Sequence, residues 1–223
     1  MLILDIAANK NLTDLTPSVF ETLASKCTKL ERLELRGTAR MKAERPRRVL
    51  HEFFCKVIGV CDKAGTLQDL RLSQSASETD EADDLLQCLA GSEQRNLTSF
   101  ALVDMPTWLT DPDLAEVTLG FLRMQERLQS LYLNQMPLSK TNLVALFAAL
   151  QASGAARDSL VELGLSGSVQ IKEATTEDCT PIVDFLGLHA PHLRQFDIRV
   201  RPFQTSHPVK FEAMHTKDFV GPQ

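Results

Sequence analysis

The sequence predicts a right-handed α/β solenoid, with about seven short parallel strands on a concave side and helices on a convex side. Two observations carry that expectation. An apolar trio of the form L-x-x-L-x-L recurs at Met1–Leu4–Ile6, Leu30–Leu33–Leu35, Leu67–Leu70–Leu72, Leu97–Phe100–Leu102, Leu128–Leu131–Leu133, Leu160–Leu163–Leu165 and Leu193–Phe196–Ile198. Successive trios are offset by 29, 37, 30, 31, 32 and 33 residues, with amphipathic helical patterns between them. Self-similarity at a near-constant period marks a stacked architecture, because one strand–helix unit cannot bury its apolar face without a neighbour.

The elements follow in order. In each trio the last two apolar residues alternate with other residues, so they face one side of a short strand and their neighbours face the other. Thr16-Pro17 puts proline at a first helical position ahead of Val19, Phe20 and Leu23. Pro46 precedes Val49, Leu50, Phe53, Phe54, Val57 and Ile58, a run of about four turns at helical spacing. A shorter helix is expected over Glu81–Ala90, using Leu85, Leu86 and Leu89. Asp111-Pro112 opens another, with Leu114, Val117, Leu119, Phe121 and Leu122 on its apolar side. Ser139 caps a helix running to about Ala152 through Leu143, Leu146, Phe147 and Leu150. The last helix starts at Thr176 and uses Ile182, Val183, Leu186 and Leu188.

Trio, spacing and helix length together resemble a leucine-rich-repeat protein of the ribonuclease-inhibitor-like class, which implies a horseshoe. The first repeat is similar to the cysteine-containing repeats of F-box proteins. The matching residues are Leu4-Asp5-Ile6, Asn9, Leu12-Thr13-Asp14, Phe20, Leu23-Ala24, Cys27 and Leu30-Glu31-Arg32-Leu33-Glu34-Leu35. Asn9 stands where that family usually has its cysteine. Residues 1–200 are expected to form the leucine-rich-repeat domain, and 201–223, with Pro202, Pro208 and Pro222, an irregular C-terminal cap and tail. The strand of the first trio has no capping unit before it, so its edge is expected to be covered by a preceding segment of a longer protein or by another subunit of a larger complex.

Composition narrows the class of function. The chain has 223 residues, 43% hydrophobic and 24% charged, which is ordinary for a packed core. Net charge is −5 at pH 7 and there are one Trp and one Tyr, so neither a basic footprint nor an aromatic platform for nucleic acid is present. No window approaches a membrane span. Five scattered cysteines without a C-x-x-C pair suit a reducing compartment, the cytoplasm or the nucleus.

No catalytic constellation assembles from these residues. His189 and His192 form an H-x-x-H interrupted by Pro191 and without a nearby Glu, a poor metal pair. Cys27, Cys55 and Cys88 occupy helical positions that should face the core. Glycine-rich phosphate loops are missing, and Gly164–Gly167 lacks the G-x-S-x-G spacing. No cofactor, metal site or enzymatic activity is expected.

The function expected is protein–protein recognition on the concave face. Residues alternating with the strand leucines run Arg32, Glu34, Arg36; Asp69, Arg71, Ser73; Ser99, Ala101, Val103; Ser130, Tyr132, Asn134; Glu162, Gly164, Ser166; Gln195, Asp197, Arg199. Arg32 opposite Asp69 and Glu34 opposite Arg71 should pair laterally. Tyr132 among small residues reads either as an aromatic anchor or as a plain exposed strand tyrosine. Arg36, Arg71, Val103, Tyr132 and Asn134 are the candidate partner-binding residues. A basic run, Arg40 to Arg48, and an acidic run, Glu78 to Asp84, should lie side by side on one rim and neutralise each other. An F-box-type ubiquitin-ligase adaptor and a structural subunit of a large assembly are the alternatives.

Overall fold

The computed structural model describes residues 2–5, 21–22, 25–36, 44–73, 85–90, 97–105, 107–167, 176–189 and 191–197. One sheet contains β1 (Leu2–Asp5), β2 (Arg32–Arg36), β3 (Asp69–Ser73), β4 (Ser99–Val103), β5 (Ser130–Asn134), β6 (Glu162–Gly164) and β7 (Gln195–Asp197) in sequence order. Each strand pairs in parallel with the next. Helices α1 (Glu44–Ala64), α2 (Thr107–Thr110), α3 (Pro112–Arg123), α4 (Lys140–Ser153), α5 (Ala155–Asp158) and α6 (Thr176–Asp184) lie in the connections between strands, and a π-helical turn, Phe185–His189, follows α6. This is a leucine-rich-repeat-like α/β fold.

Register equals sequence offset along most of the sheet. Leu33 faces Leu70, which faces Phe100, then Leu131, Leu163 and Phe196. A backbone device holds that register. The carbonyl just before each of β2 to β6 accepts two N–H groups from the next repeat: Glu31 from Gln68 and Asp69, Gln68 from Thr98 and Ser99, Thr98 from Gln129 and Ser130, Gln129 from Val161 and Glu162, Val161 from Arg194 and Gln195, all at 2.8–3.0 Å.

The first repeat departs from the expected phase. Leu2 and Leu4, not Leu4 and Ile6, stand opposite Leu33 and Leu35, so the first offset is 31 residues in place of 29. The difference is two residues, so the strand parity expected from the trio is kept.

Local chemistry explains the helix starts. Asp111 accepts from the amides of Asp113 and Leu114 at 3.0 and 3.1 Å, with Pro112 at the first helical position. Ser139 accepts from the Asn142 amide at 3.2 Å, and Gly154, left-handed at φ 76°, ends α4 before the one-turn α5. The helix expected after Pro46 begins at Glu44 and runs to Ala64. Of the Glu81–Ala90 helix, the described residues 85–90 are helical. Most of the helix expected after Pro17 lies outside the described residues, as do the acidic run, Arg40, Lys42 and the 201–223 tail.

Chain exits from three successive strands share one conformation. Asp104, Gln135 and Gly167 all adopt positive φ, at 55°, 58° and 70°. The residues after the first two, Met105 and Met136, are fully buried. A left-handed residue thus turns the chain at the same point of these three repeats, and in the first two a methionine fills the space beneath.

The leucines of β2 to β6, Phe53, Phe54, Val57 and Ile58 of α1, and the apolar sides of α3 and α4 form one core. Trp108, on the short α2, is wholly buried in it. Leu131→Asp would bury an unpaired charge in that core and abolish cooperative unfolding, read by circular dichroism. Gln135→Gly is expected to leave stability unchanged or raise it, while Gln135→Val costs about 1–2 kcal/mol because Cβ crowds the left-handed conformation; denaturant melts of the pair test the exit geometry.

Candidate functional site: the open face of the sheet

The leucines of the sheet face the helices, and the alternate residues form the opposite, open face. Register sorts them into rows. One row carries Glu34, Arg71, Ala101, Tyr132, Gly164 and Asp197; a second carries Arg36, Ser73, Val103 and Asn134. The five candidate residues therefore fall in two adjacent rows across four neighbouring strands: Arg71 and Tyr132 in the first, Arg36, Val103 and Asn134 in the second. The structure brings them together.

At the β2–β3 end, charges interlock. Arg32 Nε lies 3.3 Å from Asp69 Oδ2, an ion-pair distance without hydrogen-bond alignment. Glu34 does not turn to Arg71 as the register suggested. Its nearly buried carboxylate accepts from Arg36 Nε at 2.6 Å, with Arg32 Nη2 at 3.6 Å, while Arg71 Nε donates to Asp69 Oδ1 at 3.0 Å. For Glu34 and Arg71, pairing along the strand has won over pairing with each other, while Arg32 and Asp69 still meet across the two strands.

At the β5–β6 end, Tyr132 lies across its neighbour. Its hydroxyl donates to Glu162 Oε2 at 2.5 Å, and Ser130 Oγ donates to the same oxygen at 2.9 Å. A Cβ on Gly164, directly opposite Tyr132, would come within 2.5 Å of the ring's Cδ1 and 3.3 Å of Asn134 Oδ1. Glycine is required there because the ring occupies the side-chain space. Asn134 Oδ1 accepts from the Ser166 amide at 2.9 Å, tying the strand exits together.

Electrostatics follow the bonding. Burial, then the hydrogen bond to Glu162, pushes the Tyr132 phenol up to about 12. The hydrogen bonds from Tyr132 and then Ser130 hold the Glu162 carboxyl below its usual range, with nearby Arg71 adding to the effect. Tyr132 is thus a half-buried member of a network, its hydroxyl committed to Glu162 and its ring lying over Gly164.

Sequence reasoning placed Glu162, Gly164 and Asp69 on this face without singling them out. The signal for Gly164 was the 32-residue offset that sets a glycine opposite the chain's single tyrosine. Elsewhere, a groove of about 510 Å³ lies between α4 and α6, lined by Val144, Phe147, Pro181 and Phe185, the two phenylalanines stacked at 4.3 Å. Cys27, Cys55 and Cys88 pack against the core as expected, and Cys61 is fully buried. Burial raises the Cys27 thiol and pushes that of Cys61 up to about 11, so both are poor nucleophiles. Among the described residues no group of three or more His, Cys, Asp or Glu could hold a metal ion, and no helix is long and apolar enough to cross a membrane.

No family model matches the chain, and no curated protein matches it by sequence. Among solved structures, the tropomodulin C-terminal domain of Caenorhabditis elegans is similar, at 15% identity and a TM-score of 0.46, with 76% of this chain and 90% of that chain covered.

Two predictions follow from the Tyr132–Gly164–Glu162 packing. Gly164→Ala should cost about 1–3 kcal/mol in the native background. In a Tyr132→Ala background it should cost little, so a double-mutant cycle by denaturant melts will show coupling. Because the folded-state pKa of Glu162 is lowered, its contribution to stability is present above the unfolded value and is lost as pH falls through the folded one. Tyr132→Phe should raise the Glu162 pKa, read by NMR titration, and shrink that acid-side loss.

Proposed function

We propose that this chain is a non-catalytic protein-interaction module of leucine-rich-repeat type, binding a protein partner on the open face of its sheet. In this reading the sheet is the inner, concave wall of a right-handed horseshoe, as the ribonuclease-inhibitor-like resemblance implies. The carrying observation is the convergence of Arg36, Arg71, Val103, Tyr132 and Asn134 from four strands onto two adjacent rows. Their strands are fixed by the carbonyl ladder, and Arg71, Tyr132 and Asn134 are held by hydrogen bonds, so little conformational entropy remains to be lost on binding. The mixed charges, small residues and one aromatic ring of this face suit a protein surface better than a phosphate backbone or a lipid surface.

The proposal includes the reducing interior of the cell, cytoplasm or nucleus, and no cofactor. A narrower reading, the substrate-recognition part of an F-box-type ubiquitin-ligase adaptor, rests on the resemblance of residues 1–35, of which 1, 6–20, 23 and 24 lie outside the described ones. A structural subunit, held at the outer edge of β1, is the other narrower reading.

Photo-crosslinking in cells separates them. With a benzophenone amino acid at Val103 or Asn134, crosslinks to protein are expected; the same probe at Val144, exposed on α4, should give few. Crosslinks confined to Val144 would overturn the open-face reading. Recovery of a ligase scaffold with many substoichiometric clients would favour the adaptor, and one fixed set of proteins the structural subunit.

A further inference from the structure

We propose that Cys27 and Cys61 form a redox-sensitive pair that closes into a disulfide, fastening the approach to β2 onto the last turn of α1. Both residues stand where helix gives way to the next strand. Cys27 lies just before Leu30, whose amide donates to the Cys27 carbonyl at 3.2 Å. The Cys61 carbonyl accepts from the Thr66 amide, just before Leu67, at the same distance. Each cysteine therefore sits on backbone that is already hydrogen-bonded in place.

Stacking of the two repeats brings the residues into contact. Both thiols are free, and that of Cys61 donates to the Cys27 carbonyl oxygen at 3.3 Å. A carbonyl oxygen lies about 2.4 Å from its own Cα, so the Cys61 sulfur is within about 6 Å of the Cys27 Cα. Disulfides usually join residues whose Cα atoms are about 4.4–6.8 Å apart, so closure asks for side-chain rotation rather than for a rearrangement of the sheet. Burial first, and Cys27 next, raise the Cys61 thiol, which shows that the two sulfur groups are near enough to interact.

Burial also separates their roles. Cys27 is partly exposed and Cys61 fully buried, so a reagent in solvent meets Cys27 first. The oxidant is a small-molecule disulfide such as oxidised glutathione. The Cys27 thiolate attacks one of its sulfurs, the S–S bond breaks, and one glutathione thiolate leaves. The Cys61 thiolate then attacks the Cys27 sulfur, and the second glutathione thiolate leaves with the electron pair of that bond. The protein gives up two thiol protons and two electrons, and the reagent becomes two thiols. Because burial raises both cysteines, thiolate is scarce at neutral pH and closure is slow there, faster as pH rises. An excess of reduced glutathione reverses it.

The test treats the full chain, natively folded, with oxidised glutathione at about pH 7 and about pH 9, with Cys27→Ser and Cys61→Ala in parallel. Peptide mapping by mass spectrometry without reduction reads the products. The expected result is a linked Cys27–Cys61 peptide that forms faster at the higher pH, with a melting temperature raised by about 5 °C and restored by dithiothreitol. Glutathione should stay on Cys27 in Cys61→Ala, and Cys61 should remain unmodified in Cys27→Ser. If Cys61→Ala fails to fold, Cys27→Ser, at the partly exposed position, still carries the comparison. A native chain that stays reduced at both positions, or keeps glutathione on Cys27 without an internal bond, overturns the inference. So does a link from Cys27 to another cysteine, or a Cys27–Cys61 bond that lowers the melting temperature.

Discussion

Everything else in this molecule depends on one backbone contact repeated along the sheet: a carbonyl just before each of β2 to β6 that accepts two N–H groups from the next repeat. Each such contact fixes which residue of one repeat stands opposite which residue of the next. Because side chains alternate on a strand, fixing register also decides which side chains face the helices and which reach the open face. A slip of one residue would turn Leu131 outward and bury Tyr132. The fully buried leucines of β2 to β6 make that slip costly, so core packing and face composition are two consequences of one constraint.

The open face has its own internal logic. At one end, guanidiniums and carboxylates satisfy each other along and across β2 and β3; at the other, Tyr132 leans over Gly164 onto Glu162. Between them β4 supplies Ser99, Ala101 and Val103. The polar networks hold the side chains on either side, and Ala101 between them is itself nearly buried. A surface ordered in this way during folding has little conformational freedom left to lose.

The strands and their partners were legible in the sequence because trio offset and register are the same number from Leu33 onward. Arg32 opposite Asp69 followed at once. The first repeat misled because Leu2, Leu4 and Ile6 offer two phases of equal hydrophobicity. Helix α2 went unseen because four residues are too few to show a period, although they carry the buried Trp108. The strand exits were hidden for another reason: Asp104 and Gln135 adopt a left-handed conformation without being glycine. Nor does alternation say where a side chain leans. Sequence put Tyr132 on the open face, but only geometry shows the ring lying over Gly164, and only geometry sends Glu34 to Arg36 in place of Arg71.

Hydroxyl-radical footprinting tests the account most directly, because strand amides already bonded in the ladder would show little change in exchange whereas side-chain oxidation reads the face itself. The chain would be oxidised alone and in complex with the protein it crosslinks to. The account predicts that Tyr132 and Val103 become protected in the complex while Val144 and Val183, exposed on α4 and α6, stay as reactive as before. Protection of Val144 and Val183 with Tyr132 and Val103 unchanged would contradict it, and would place the partner on the helices.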